Sequence, residues 1–403
     1  MVNPLVKEEN STDVAVVMLP FPAQGHINAL LHFSGRLVST FYNLSVYFAG
    51  TAVYLRQAKG RVHGWDPSSA TNMHFHEFKH NHSTASSISN IPTHLIPLMV
   101  ATTQIREPVY TFVNELSTKY RKVVVIYDYL MSYLVQDIHS IKNVDAYRFH
   151  AVSACDSFCY HRVAQDKVAA AETPPEAAEV LKKNLSSEGL SSPEAFEFCH
   201  MQENARKVFS GDIYNSNGEI ERSFFDLLEK EKARGAEEVW CLGPFNPVSI
   251  SEIRVSRSRH ESLDWLDKQE PNSVIFVSFG TTSSLSDEQI REIAIGLERS
   301  AQKFIWVLRD ADRGDVSAHE ATKLHKLPLG FEDRLKERGI IPRNAVLITK
   351  VLRIGVEILN WERREEIVSA DTVERVVRTL MASEKGDEIR ERAKEMGNRV
   401  KSL

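Results

Sequence analysis

The stretch Val14-Ala-Val-Val-Met-Leu-Pro-Phe-Pro-Ala-Gln-Gly-His-Ile-Asn28 decides how this chain reads. Its first six residues are apolar without alternation, the pattern of a parallel strand covered on both faces. Pro20, Pro22 and Gly25 then break the strand and open a helix whose first turn carries His26. That turn lies at the carboxyl edge of the strand, where open α/β sheets gather their ligands. A helix N-terminus disfavours an imidazolium, so the ring is expected to be neutral and able to act as a general base near pH 7. The chain holds 15 histidines, and for any other of them a solvated loop position is the default reading.

Working outward, 403 residues with 42% apolar and 26% charged side chains suit a globular protein of two domains. A net charge of −5, with no Lys/Arg cluster along a predicted face, argues against a nucleic-acid partner. Apolar runs are single strands, too short to span a membrane, and Met1 to Asn10 lacks the basic and apolar segments of a signal peptide. The expectation is a cytoplasmic monomer, in which the glycosylation patterns at Asn10, Asn43, Asn81 and Asn184 go unused. Cys155, Cys159, Cys199 and Cys241 form no Cys-x-x-Cys pair or metal spacing and read as packing residues.

Strand runs follow at 44–48, 73–78, 123–127, 146–152, 212–215 and 238–242, separated by helical patterns such as 27–39, 94–120 and 219–234. The alternation is a βα repeat, hence a doubly wound, mostly parallel sheet. Residues 166–189 read as helices over a cleft. The Pro- and Ser-rich stretch 246–259 reads as a linker between a domain at 1–245 and another at 260–403. The second restarts with a helix at 260–268 and a strand at 273–280. Ser286 and Gln289 then form a capping-box pattern for a helix to Ser300, and a strand begins at Lys303. Beyond Gly339 only 354–359 reads as a strand before helices at 371–382 and 384–400, so this sheet looks incomplete.

Strand order 3-2-1-4-5 places the fourth strand beside the first. Val123-Val-Val-Ile-Tyr-Asp128 therefore delivers Asp128 to the turn that carries His26. An aspartate bonded to one ring nitrogen fixes the tautomer and stabilises the imidazolium formed when the other takes a proton. Asp128 also reads as an N-cap for the following helix, and both roles can hold together. No Gly-x-Ser-x-Gly elbow supplies a serine for the pair to activate, so the proton is expected to come from substrate.

The turn at Pro20 to Asn28, Tyr127-Asp128, and Ser273 to Ser283 followed by Glu288 to Trp306 resemble plant UDP-sugar-dependent glycosyltransferases. Val46 to Ala58, Phe196-Glu-Phe-Cys199 and Ser223 to Leu228 look most like the zeatin O-glycosyltransferase group. The resemblance implies two Rossmann-like domains facing across a cleft, an inverting reaction, a UDP-sugar donor of glucose or xylose, a small hydroxyl acceptor of cytokinin type, and no metal or other cofactor. It makes His26 the base, Asp128 its partner, and Gly280 and Thr281 residues that meet the donor diphosphate.

The chain departs from that family in one block. The donor signature, from Trp-x-Pro-Gln through His-Cys-Gly-Trp-Asn-Ser to Asp/Glu-Gln, is missing. Gly339-Ile-Ile is followed directly by Pro342-Arg-Asn-Ala-Val-Leu-Ile-Thr-Lys350, which resembles the sequence after it. The expectation is an incomplete C-terminal domain and an impaired enzyme. The resemblance also puts a helix that returns to the N-terminal domain beyond Leu403. A non-catalytic protein that binds the acceptor or a partner is the alternative. A nicotinamide oxidoreductase is disfavoured, because neither opening strand leads into Gly-x-Gly-x-x-Gly.

Overall fold

The structure, a computed structural model, describes residues 13–61, 65–67, 70–79, 99, 102–158, 193–205, 210–230, 238–245, 261–278, 285–306, 358 and 366–401. Seven parallel strands form the first sheet: β1 (Val14–Leu19), β2 (Leu44–Thr51), β3 (Met73–Phe78), β4 (Lys122–Asp128), β5 (Val144–His150), β6 (Gly211–Tyr214) and β7 (Glu238–Cys241). Their order is β3-β2-β1-β4-β5-β6-β7, which places β4 beside β1 as expected.

The absence of alternation in β1 has a direct cause. Ala15, Val17 and Leu19 enter one apolar cluster with Val109 and Val113, while Val16 and Met18 enter another with Ile27 and Leu30. Each face is covered by a helix, and each fully buried aliphatic side chain contributes about 1.5–3 kcal/mol. Of the covering helices, α1 (Gln24–Thr40) buries Ile27, Leu30, Leu31 and Val38 at helical spacing. Next come α2 (Ala52–Arg61) and α3 (Arg106–Lys119), the latter turning Val109, Phe112, Val113 and Leu116 inward on the other face.

A 3-10 turn (Tyr129–Met131) leads into α4 (Ser132–Val135), and α5 (Pro193–Asn204) and α6 (Gly218–Lys230) complete these layers. Two boundaries differ from the sequence reading. β5 stops at His150, paired with Tyr214, because the chain turns there into a helical segment whose Ala154 and Cys155 N–H groups donate to the buried Glu221 carboxylate at 3.0 and 2.9 Å. Of the helix read at 94–120, α3 covers Arg106–Lys119 after a turn at 104–105, Met99 and 102–103 are helical as well, and 94–98, 100 and 101 lie outside the described residues.

The C-terminal half contributes α7 (Glu261–Leu266), β8 (Val274–Val277), α8 (Asp287–Ser300), β9 (Lys303–Trp306), α9 (Ala370–Ala382) and α10 (Glu384–Lys401). β8 and β9 pair in parallel, and α8 packs on α9 through Ile290, Ala294, Leu297, Val373 and Val377. The capping box is only half formed: Ser286 Oγ accepts from Gln289 N at 3.1 Å. The Gln289 amide instead makes two bonds to the Val368 backbone, at 2.7 and 3.0 Å. α10 also reaches α6 of the N-terminal half, with Arg399 3.6 Å from Glu219.

Residues 159–192, 246–260 and 307–357 lie outside the described residues, and with them Cys159, the cleft helices, the linker and the junction at Gly339. Cys155 is buried, Cys199 and Cys241 are half-buried, and all three are free thiols. No described helix is long and apolar enough to cross a membrane.

Candidate active site

The β1–β4 register pairs Leu19 with Tyr127, so Asp128 lies one step beyond, level with the turn after β1. That turn is built by Pro20, Pro22 and two backbone bonds, Ala23 N to Phe21 O at 2.8 Å and His26 N to Ala23 O at 3.0 Å. His26 Nδ1 stands 2.6 Å from Asp128 Oδ2. Asp128 is fully buried, and the imidazole keeps 18% of its surface open. The other carboxylate oxygen accepts from Leu130 N at 3.0 Å, so capping and pairing are done by one side chain. Phe21 meets the ring edge-on at 5.4 Å, and Tyr129 lies along its face at 6.4 Å.

The protonation state departs from the sequence reading. Burial pulls the His26 pKa down, but the charge of Asp128 and its hydrogen bond outweigh that and leave it above the ordinary 6.5. The helix-end argument for a neutral ring is therefore overridden by a carboxylate at contact distance. A ring held in this way can accept a proton at its other nitrogen, and does so in the neutral form that grows as pH rises.

Three further groups went unseen in the sequence. Arg148 binds Asp212 through two bonds of 2.6 and 2.7 Å, and His150 Nε2 lies 2.7 Å from the same carboxylate. All three side chains are almost fully buried. Burial alone would raise the Asp212 pKa, but Arg148 and His150 hold it well below the usual carboxylate range. Their signal was present: Arg148 and His150 interrupt the apolar run 146–152, and a charge inside a doubly covered strand needs a partner. An apolar recess of about 20 Å³ beside the turn is lined by Pro20, Ile27, Thr51, Tyr54, Ile105 and Met131. Gly280 and Thr281 lie outside the described residues.

The family model described as the glycosyltransferase N-terminal domain matches residues 12–247. Zeatin O-xylosyltransferase of Phaseolus vulgaris is 37% identical over 97% of this chain and 94% of its own length. Zeatin O-glucosyltransferase of Phaseolus lunatus is 37% identical over 97% and 93%. The chain belongs to the plant UDP-glycosyltransferase family. The fold of this glycosyltransferase is shared with a UDP-glucose:anthocyanidin 3-O-glucosyltransferase solved in complex with UDP, at a TM-score of 0.72 and 17% identity over 98% of this chain and 95% of that one. The alignment with the Phaseolus vulgaris enzyme spans 441 positions, yet its share of this chain is 97% of 403 residues, so about fifty positions are filled in the relative alone.

Proposed function

We propose that this UDP-glycosyltransferase is built to transfer glucose or xylose from a UDP-sugar to the hydroxyl of a zeatin-type acceptor, with its donor site impaired by the loss of an internal segment. The observation that carries the first part is the 2.6 Å contact between His26 and Asp128 at the open end of the first sheet. His26 takes the acceptor proton on its other nitrogen while the acceptor oxygen attacks the anomeric carbon. The bond to the departing diphosphate breaks on the opposite face, so the anomeric centre inverts. Asp128 holds the tautomer and balances the imidazolium formed. Gly280 and Thr281 meet the diphosphate in the family pattern, where a glycine admits close backbone approach and a hydroxyl donates to phosphate. The domains are 1–245 for the acceptor and 260–403 for the donor, joined by 246–259. The two Phaseolus relatives support a cytokinin acceptor and leave both sugars in play.

Two observations support impairment. About fifty positions of the relative have no counterpart here, as a segment lost after Gly339 would require. Phe276 in β8 is 54% exposed, whereas parallel sheets are ordinarily covered on both faces. A second reading, an acceptor-binding protein without catalysis, is favoured by the same pair of facts, because the His26 end of the molecule is intact. Titration calorimetry with UDP-glucose on the purified chain, and on a version carrying the restored segment, tests the proposal. Binding by the restored chain alone is the expected result; equal binding by both would overturn the claim of impairment.

A further inference from the structure

Tyr129 stands between two histidines. Its ring lies 6.4 Å from that of His26 at an interplanar angle of 29°, and 5.5 Å from that of His150 at 9°. His150 in turn lies 4.2 Å from Tyr214 at 8°. Four rings, drawn from α1 and from the ends of β4, β5 and β6, thus form one row along the carboxyl edge of the sheet. Phe225 closes the far end edge-on to Tyr214 at 5.5 Å.

The row is anchored from below. Asp212 bonds His150 Nε2 at 2.7 Å, and Ser157 Oγ lies 3.2 Å from the other ring nitrogen. Both edges of the His150 imidazole are therefore held, and its plane is set. Arg148 already matches the charge of Asp212 through its two-point contact, so His150 is not needed as a counterion. A fully buried Arg–Asp–His group costs desolvation that an apolar trio would avoid. A role in orientation accounts for its presence.

We propose that His150, oriented by Asp212, is a positioning residue for His26 and acts through the ring of Tyr129. The inference rests on the reading of His26 as the base. Asp128 holds one nitrogen of His26, which leaves the ring free to rock about that bond; the edge of Phe21 and the face of Tyr129 limit the rocking. The aim of the other nitrogen at an acceptor hydroxyl follows from that plane. A displacement of about 1 Å in such a group costs on the order of a hundredfold in rate.

The test is NMR on the full chain with isotopically labelled histidine, His26 being assigned by the signals lost in His26→Gln. The hydrogen on Nδ1, shared with Asp128, should exchange slowly in the wild type. His150→Leu and Tyr129→Leu should each speed that exchange at least tenfold, and Tyr129→Phe, which keeps the ring, should leave it unchanged. His150→Gln, able to keep a bond to Asp212 but without a ring, should behave as His150→Leu and covers the case in which the leucine variant fails to fold. Wild-type exchange in Tyr129→Leu and His150→Gln would overturn the proposal. Asp128→Ala, which removes the acceptor, separates the two readings: if it leaves the slow exchange of the Nδ1 hydrogen in place, the His26–Asp128 pair itself fails, whatever the stack does.

Discussion

His26 and Asp128 are 102 positions apart in the chain and 2.6 Å apart in space, and Asp128 gives its second oxygen to the Leu130 N–H at 3.0 Å. One buried carboxylate thus ends a strand, starts a helical turn and fixes an imidazole. Both contacts depend on one buried side chain, and a proton-transfer group needs such anchoring if its geometry is to survive the binding of a substrate.

The first prediction concerns the charge on that imidazole. In the wild type His26 should titrate above 6.5, because Asp128 outweighs the effect of burial. In Asp128→Asn the favourable charge is gone and burial is left, so the value should fall below 6.5. An NMR titration reads both, and an unchanged value in the variant would contradict the stated cause.

The sign of the linked stability follows from the raised value. Unfolded, His26 titrates near 6.5; folded, it titrates higher. The pair therefore contributes in full below pH 6.5, and its contribution is lost as pH rises through the folded value. Urea unfolding should show a larger gap between wild type and Asp128→Asn at pH 5.5 than at pH 8.5. A gap that widens with pH would refute the assignment.

Catalysis carries the same signature. In a chain with the donor segment restored, glycosyl transfer should rise with pH through the His26 value, because only the neutral ring accepts a proton. His26→Ala should lower turnover by about 10²–10⁴-fold. Equal rates in wild type and variant, measured by product formation from UDP-glucose, would remove His26 from the reaction.

Arg148 and Asp212 are buried to within 2% of full coverage. Removing one partner, as in Arg148→Met, leaves the buried carboxylate with His150 as its remaining partner and should cost about 3–5 kcal/mol in denaturant unfolding. The double change Arg148→Met with Asp212→Leu should recover much of that loss. A double variant as unstable as the sum of the singles would mean that the two charges act independently.

Gly25 is the second residue of α1, and a Cβ added there would meet nothing within 4 Å. Packing does not require a glycine, so Gly25→Ala should stabilise the chain by about 0.5–1 kcal/mol through helix propensity. Reduced acceptor binding in the same variant, seen by calorimetry, would show that the open space beside His26 is used by ligand. A loss of stability would show that the turn itself demands glycine.

Much of this protein was legible before any coordinates. Unbroken apolar runs such as Val14 to Leu19 can be satisfied only by a parallel strand covered on both faces, and the turn residues Pro20, Pro22 and Gly25 can only end it. Strand order then followed from the winding rule, which put Asp128 within reach of His26. Local periodicity carries that information because it reports burial, and burial is what the sheet imposes. A polar residue inside such a run, as at Arg148, signals that a partner is needed, but the identity of a partner far away in the chain leaves no such trace. The bond from Gln289 to Val368, the row from His26 through Tyr129 and His150 to Tyr214, and the Arg148–Asp212 pair depend on which strands become neighbours and in what register. The protonation of His26 was decided at that level as well, since the helix terminus argued for a neutral ring and a carboxylate brought to 2.6 Å by the β1–β4 pairing outweighed it.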